Sequence, residues 1–190
     1  MMQKVWLKKQ KLSYSSEVLD VAQFGSSVMI NGKPRDIDIV VLFKKMPLKE
    51  QLIEAQKIKK QLQAITDLPI HIISFDLSSF FNASNFARDN ILFYGKSIVS
   101  GKRFAENFAL IPKLEIFYFL DDLEKKDKVR FNYMLNGRKG EYGFLREFNG
   151  KLIKPGMIEI LPETENIFVE NIRKITPRFE VRKILLSTVR

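Results

Sequence analysis

FGSSVMINGKPRDIDIVVLF, residues 24 to 43, joins two predicted strands through a glycine-serine turn and a polar loop. The apolar run VLDVAQF before it, residues 18–24, predicts a first strand that ends at Gly25. The run IDIVVLF, residues 37–43, is rich in Ile and Val and predicts a buried second strand. The segment therefore predicts a strand, a turn and a second strand.

Two carboxylates share one side of the second predicted strand. Residues two apart in a strand point to the same face, so Asp36 and Asp38 project together while Ile37 and Ile39 face the core. Magnesium binds oxygen ligands, usually one or two carboxylates with phosphate oxygens and water. The pair therefore predicts a site for Mg²⁺ or Mn²⁺ of the kind that nucleotidyl transfer uses.

The glycine-serine turn predicts a phosphate-binding element next to these acids. Gly25 allows a phosphate to approach the backbone, and the hydroxyls of Ser26 and Ser27 with nearby amide N–H groups can hydrogen-bond its oxygens. Lys33 and Arg35, in the loop before the acids, are candidate cations for a triphosphate. The alternative for these two residues is an ordinary solvated basic surface.

A helix and a third strand follow. LKEQLIEAQKIKKQLQAI, residues 48–65, repeats apolar residues at three- and four-residue steps, as one face of a helix requires. Residues 70–75 predict a third strand, and Asp76 stands at a helix N-cap position. The alternation predicts an α/β domain with a mixed sheet flanked by helices. The apolar positions of the helix are Leu48, Leu52, Ala55, Ile58, Leu62 and Ile65.

Gly25-Ser26, followed after nine residues by Asp36 and Asp38 at the head of an apolar strand, resembles the signature of the DNA polymerase beta nucleotidyltransferase superfamily, especially its minimal archaeal and bacterial members. The resemblance covers about residues 15–100. It implies that the Gly-Ser pair contacts a triphosphate and that the aspartates bind metal. It also implies a metal-dependent enzyme that moves a nucleoside monophosphate from an NTP, ATP by default, to an acceptor hydroxyl on RNA, protein or a small molecule, with release of pyrophosphate.

The third metal ligand is where the sequence departs from the pattern of that superfamily. The family adds a third carboxylate on a neighbouring strand, and the corresponding position here holds His71. His71 is a candidate metal ligand, a candidate general base, or a strand histidine bonded to a neighbour. Asp76 is the other candidate ligand, although it points to the opposite face of an ideal strand and has a capping role. If neither serves, we expect the protein to bind nucleotide but to turn over slowly or not at all.

We divide the chain into a nucleotidyltransferase domain, residues 1–105, and a smaller C-terminal domain, residues 106–190. The second is either winged-helix-like, with Lys151 and Lys154 contacting a nucleic-acid backbone, or a small α/β domain whose hairpin closes a sheet with residues 179–186. Its aromatic residues fall at helical spacings, which predicts core positions. Its predicted elements are helices at 114–123, 128–135, 144–148 and 162–175, a hairpin of 151–153 with 157–161, and a strand at 179–186.

Composition limits the classes of function. The formal net charge of +10 and pI near 9.7 favour anionic partners such as nucleotides, RNA, DNA or an acidic protein. The absence of cysteine excludes disulfides, thiolate zinc sites, iron–sulfur clusters and a cysteine nucleophile. No apolar run approaches the ~18–20 residues of a membrane span, so we expect a soluble cytoplasmic protein.

Two rival functions remain open at this stage. One is a nucleotide- or nucleic-acid-binding module that kept the fold and lost the third ligand. The other is a toxin–antitoxin component that pairs with a helical protein partner, as the resemblance to minimal superfamily members implies.

Overall fold

The computed structural model of the chain describes residues 6–138 and 141–189. Two compact units account for them: residues 6–28 with 32–110, and residues 29–31 with 111–188. Each unit contains helices and one four-stranded sheet, which makes the chain a mixed α+β protein. None of the helices in the described residues is long and apolar enough to cross a membrane.

The sheet of the first unit has the strand order β3-β2-β1-β4. β1 and β2 are antiparallel, whereas β2 and β3 run parallel and are joined by helix α1, the crossover that parallel strands require. The three strands and the helix predicted across residues 18–75 are thus confirmed. The bounds are β1 (Val18–Phe24), β2 (Ile37–Phe43), α1 (Leu48–Gln63), β3 (Ile70–Asp76) and β4 (Lys96–Ser97).

The core of this unit lies between α1 and one face of the sheet. Alternate residues of β2, among them Ile37 and Ile39, are fully buried and cluster with Ile58 and Leu62 of α1. The intervening residues of β2 therefore face the other side of the sheet, as the period of two requires. This alternation places Asp38 on the side away from α1.

Helix α1 buries only part of the apolar set that its sequence predicts, namely Ala55, Ile58 and Leu62. Leu48, Leu52 and Ile65 were expected in the core, yet they are 65%, 53% and 46% exposed. Gln51 and Glu54 are buried instead. Their side chains bond the backbone of neighbouring segments: the Gln51 amide donates to the Met46 carbonyl at 2.7 Å, and Glu54 accepts from the Ser15 amide at 2.8 Å.

The face of the sheet opposite α1 is covered by short helices and phenylalanines. Phe80 is fully buried, and its ring lies 5.5 Å from that of Phe104 and 6.1 Å from that of Phe75. Such offset and edge-on ring pairs fill the layer. The helices are α2 (Leu77–Phe80) and α3 (Ala87–Tyr94), with 3₁₀ turns at Gly25–Val28 and Phe104–Phe108.

The second unit has a sheet of strand order β6-β7-β5-β8. The predicted hairpin forms from β6 and β7, and β7 then pairs antiparallel with β5. The hairpin joins a sheet that also contains β8, as the small α/β interpretation expects. β5 lies between β7 and β8, so the hairpin does not pair directly with residues 179–186. The bounds are β5 (Leu110–Tyr118), α4 (Lys125–Asn136), α5 (Phe144–Glu147), β6 (Lys151–Lys154), β7 (Met157–Ile160), α6 (Glu165–Arg173) and β8 (Phe179–Ser187).

One predicted helix in this unit is wrong. Residues 114–123 were expected to be helical, but β5 runs through Leu110–Tyr118. Leu114 and Ile116 are fully buried while Glu115 between them is not, a period of two that belongs to a half-buried strand. The aromatic residues after Ile116 hid this alternation by making the run apolar on every side.

Candidate metal centre

Asp36, Asp38 and His71 converge at one point on the sheet of the first unit. The His71 Nδ1 atom lies 3.4 Å from Asp36 Oδ2 and 3.8 Å from Asp38 Oδ1. One ligand atom from each of the three residues lies within 4.8 Å of the other two. Two carboxylate oxygens and an imidazole nitrogen at these separations can share one cation.

The register between β2 and β3 brings these side chains together. Asp38 pairs with His71 across the parallel strands, so both side chains rise from the same face. Asp36 lies two residues before Asp38 and is on that face as well. The His71 side chain therefore faces the two acids.

The cluster is reachable from solvent but partly enclosed. The side chains of Asp36 and Asp38 are 35% and 32% exposed, and that of His71 is 65% exposed. Burial, and then the neighbouring charge of Asp36, raises the pKa of Asp38 above its ordinary value, while His71 acts in the opposite direction. A bound cation would relieve the repulsion between the two carboxylates, which is a property of metal-binding acid pairs.

Gly25 packs directly against the Asp38 carboxylate. Phe24 pairs with Asp38 at the end of β1, and Gly25 then turns with φ of +73°, the left-handed conformation that glycine adopts readily. A Cβ atom placed on Gly25 would lie only 2.6 Å from Asp38 Oδ2. The turn thus leaves room for the carboxylate only because residue 25 has no side chain.

The remaining residues of the predicted phosphate site differ in their exposure to solvent. Ser26 is exposed, whereas Ser27 is buried and its hydroxyl donates to the Phe24 carbonyl at 3.1 Å. Ser26 is therefore the hydroxyl that the turn presents to solvent, and Ser27 closes the turn. Lys33 and Arg35 are both exposed in the loop that precedes β2.

The structure does not bring Asp76 to the cluster. Asp76 pairs with Phe43 at the far end of β2, five residues along β3 from His71. Its carboxylate accepts from the Ser79 amide at 2.7 Å and caps α2, and these hydrogen bonds lower its pKa. This placement corrects the assignment of Asp76 as a metal ligand and confirms its capping role.

No protein-family model, curated protein or solved structure matches the chain. The geometry of the Asp36, Asp38 and His71 cluster is consequently the main evidence for a function. Its strongest element is the combination of two carboxylates and an imidazole from adjacent parallel strands with a glycine turn against one carboxylate.

Asp20 is a buried acid of the first unit that no pattern in the sequence singles out. Asp20 of β1 is 6% exposed and accepts hydrogen bonds from the Ser97 hydroxyl at 2.6 Å and the Asn107 amide at 2.7 Å. Burial raises its pKa, and these bonds offset part of that rise. Because Asp20 pairs with Leu42, four positions along β2 from Asp38, it lies outside the cluster and ties β1 to β4 and the following turn.

Proposed function

We propose that the first unit is a nucleotidyltransferase domain of the polymerase-beta type, which transfers a nucleoside monophosphate from a metal-bound NTP to an acceptor hydroxyl. The observation that carries this proposal is the Asp36, Asp38 and His71 cluster beside the Gly25 turn. Three features support it together: the acid pair on one strand face, a third donor on the parallel neighbour, and a glycine turn packed against one of the carboxylates. ATP is the proposed donor, and Mg²⁺ or Mn²⁺ the proposed ion.

Different residues of this site would bind the metal and the phosphates of the NTP. Asp36 and Asp38 would hold the metal, which when bound supplies charge neutralisation at the triphosphate and lowers the pKa of the acceptor hydroxyl. Ser26 would donate a hydrogen bond to a phosphate oxygen, and Gly25 would let that oxygen approach the backbone. Lys33 and Arg35, both exposed, would contact the triphosphate as cations.

His71 has two roles within this proposal. Its imidazole could complete the ligand set with the two carboxylates, or accept the proton of the acceptor hydroxyl as a general base. The 3.4 Å separation between His71 Nδ1 and Asp36 Oδ2 exceeds the ~2.7–2.9 Å of a strong charge-assisted hydrogen bond. His71 is thus close to the acids without being locked onto them, which suits either role.

The decisive test replaces both metal-binding acids. The chain with Asp36→Asn and Asp38→Asn should lose transfer from labelled NTP to total RNA or cell extract in Mg²⁺ or Mn²⁺, and should release no pyrophosphate. Its melting temperature should equal or exceed that of the wild type, because the substitutions remove the repulsion that raises the pKa of Asp38. Wild-type transfer by this variant would show that the cluster is not the active site.

A second function is favoured by one observation, the histidine where the superfamily has a third carboxylate. A chain with that departure could bind Mg–NTP without transferring the nucleotide. Isothermal titration with Mg–ATP, run beside a pyrophosphate-release assay, separates the two functions. Binding without release in the wild type, together with release by His71→Asp, identifies a binding module that descends from an enzyme.

A further inference from the structure

The sheet of the second unit has one face on which β5 carries half-exposed side chains. On β5, Leu114 and Ile116 are fully buried, and the next residue on that side, Tyr118, has its ring 4.7 Å from Phe131 of α4. The alternate residues, including Glu115 and Phe117, are half-exposed on the other side. One side of the sheet is therefore the core of the unit, and the other is open.

Two phenyl rings, Phe117 in β5 and Phe119 just after it, each carry a guanidinium group. The Cζ atom of Arg182 lies 4.4 Å from the ring centre of Phe117. Phe119, two residues further on and 46% exposed, has the Cζ atom of Arg178 at 5.6 Å. A planar cation over an aromatic ring is held by the ring quadrupole, and a nucleobase can stack on either group.

These rings border a cavity of about 450 Å³. Its lining includes Phe117 and Phe119, with Lys154 on the hairpin side and Asp121 at the end of the strand segment. This volume falls within the ~300–1,000 Å³ of ordinary small-ligand sites. The cavity therefore has space for a base, with a cation at its edge for the attached phosphate.

The charges around the open face are largely matched among themselves. Arg178 pairs with Asp122, and Arg182 bonds Glu180 at 2.9 Å. Lys154 and Asp121 stand outside these pairs, one cation and one acceptor at the same cavity. A phosphate at Lys154 and an exocyclic base amine at Asp121 fit this arrangement. A run of peptide carboxylates does not, because it would meet Asp121 and Asp122.

We propose that the open sheet face of the second unit binds single-stranded nucleic acid. One base stacks on Phe117 and its neighbour on Phe119, and the backbone passes Lys154. Exposed aromatic residues on a sheet, with nearby cations, are a general way of binding unpaired bases. The proposal concerns residues 117–182 alone and stands whether or not the first unit transfers nucleotides.

The test measures fluorescence anisotropy of a labelled, mixed-sequence RNA of about 12 nucleotides, a length within the range of single-strand binding sites. Phe117→Leu and Phe119→Leu, each made in the full chain, should each weaken binding by about 5- to 150-fold, the loss expected when one stacked base is released. Phe86→Leu is the matched control, because Phe86 is 97% exposed and lies in the other unit. It should bind as the wild type does.

A second variant tests the phosphate contact without altering the aromatic residues. Lys154→Gln should reduce the slope of log affinity against log salt concentration by about 0.7, the value for one phosphate contact to a single strand. The proposal is overturned if the two phenylalanine variants bind within twofold of the wild type. It is also overturned if the RNA duplex of the same sequence, or polyglutamate, binds as tightly as the single strand.

Discussion

Gly25 and Asp38 form the closest contact in the candidate metal centre. The carboxylate occupies the space that a Cβ atom on residue 25 would need, 2.6 Å from Asp38 Oδ2. Its raised pKa shows that the folded chain holds this charge at a disadvantage when no cation is present. The position of the carboxylate thus depends on the turn on one side and on Asp36 and His71 on the other.

Gly25→Ala should damage both stability and the metal centre. The left-handed conformation alone costs a residue with a Cβ atom about 1–2 kcal/mol, and the new methyl would also displace Asp38. Gly156→Ala is the matched control, because Gly156 has φ of +82° and its nearest neighbour would be Tyr118 O at 3.4 Å. Thermal unfolding should show a loss in both variants, and Mn²⁺ titration a loss of affinity only in Gly25→Ala.

His71 is tested by two substitutions with different consequences. His71→Ala should lower the rate of nucleotidyl transfer by about 10²–10⁴-fold if the imidazole is the general base. His71→Asp should retain or increase the rate, because it restores a carboxylate on the strand beside Asp38. Initial rates of pyrophosphate release measure both. Equal activity in the wild type and in His71→Ala would remove His71 from the reaction.

Apolar residues of helix α1 that are equivalent in the sequence pattern differ in their burial. Leu52 and Leu62 both belong to the periodic set that predicts the helix, yet Leu52 is 53% exposed and Leu62 is fully buried. The helix is rotated so that Glu54 can accept from the Ser15 amide. Glu54 is itself buried, and leaving its carboxylate without this partner would cost about 1–3 kcal/mol, which is comparable to the gain from burying one leucine.

Leucine-to-alanine substitutions at these two positions form a matched pair on one helix. Leu62→Ala should lower the free energy of unfolding by about 2–5 kcal/mol, because it leaves a cavity in the core. Leu52→Ala should change it by no more than about 0.5 kcal/mol. Urea unfolding followed by circular dichroism measures both. Similar losses for the two variants would mean that Leu52 is buried together with Leu62, as the apolar repeat of the sequence predicts.

Much of the first unit could be predicted from the sequence because its signals are local. The period of two in Ile37–Phe43 correctly placed Asp36 and Asp38 on one face, and the same argument separated His71 from Asp76. The rotation of α1 could not be predicted in this way, because it depends on a hydrogen bond to Ser15, 39 residues away from Glu54. Hydrogen bonds between residues this far apart produce no periodic pattern in the sequence.

The failure at β5 has a different physical origin. Residues 114–123 contain apolar and aromatic side chains at both strand and helix spacings, so periodicity alone could not choose between them. The pairing of Leu114 with Ile160 and of Ile116 with Ile158 decides the matter, and those partners lie more than 40 residues away. The aromatic residues that were expected in a helical core include Phe117, which is half-exposed on β5, and Phe119, which is 46% exposed just after the strand.

At the scale of the whole molecule, the free energy of unfolding should depend on pH through the buried carboxylate of Asp20. Burial raises the pKa of Asp20 above its ordinary 3.8, so the folded state holds this proton more tightly than the unfolded state does. The stabilisation is present in full below the ordinary pKa and is lost as the pH rises through the folded value. The contribution of Asp20 to the free energy of unfolding should therefore fall across that window.

Asp20→Asn isolates this contribution. The absolute stability of the variant should be lower, because Ser97 and Asn107 donate to different carboxylate oxygens of Asp20 and an amide has only one oxygen. Its free energy of unfolding should nevertheless fall less steeply than that of the wild type as the pH rises above about 4. Urea titrations at a series of pH values measure the difference, and parallel curves would show that Asp20 does not titrate between the two states.

Strand β6 has a consequence for the behaviour of the chain in concentrated solution. It is an edge strand of its sheet, and all four of its residues are exposed, with Leu152 and Ile153 both 49% exposed. An apolar edge with unpaired backbone groups is a template for pairing with another chain. Lys151 and Lys154 flank the apolar pair and repel an identical edge, so they act as gatekeepers against aggregation. The same two lysines should therefore limit pairing between the β6 edges of two chains at high protein concentration.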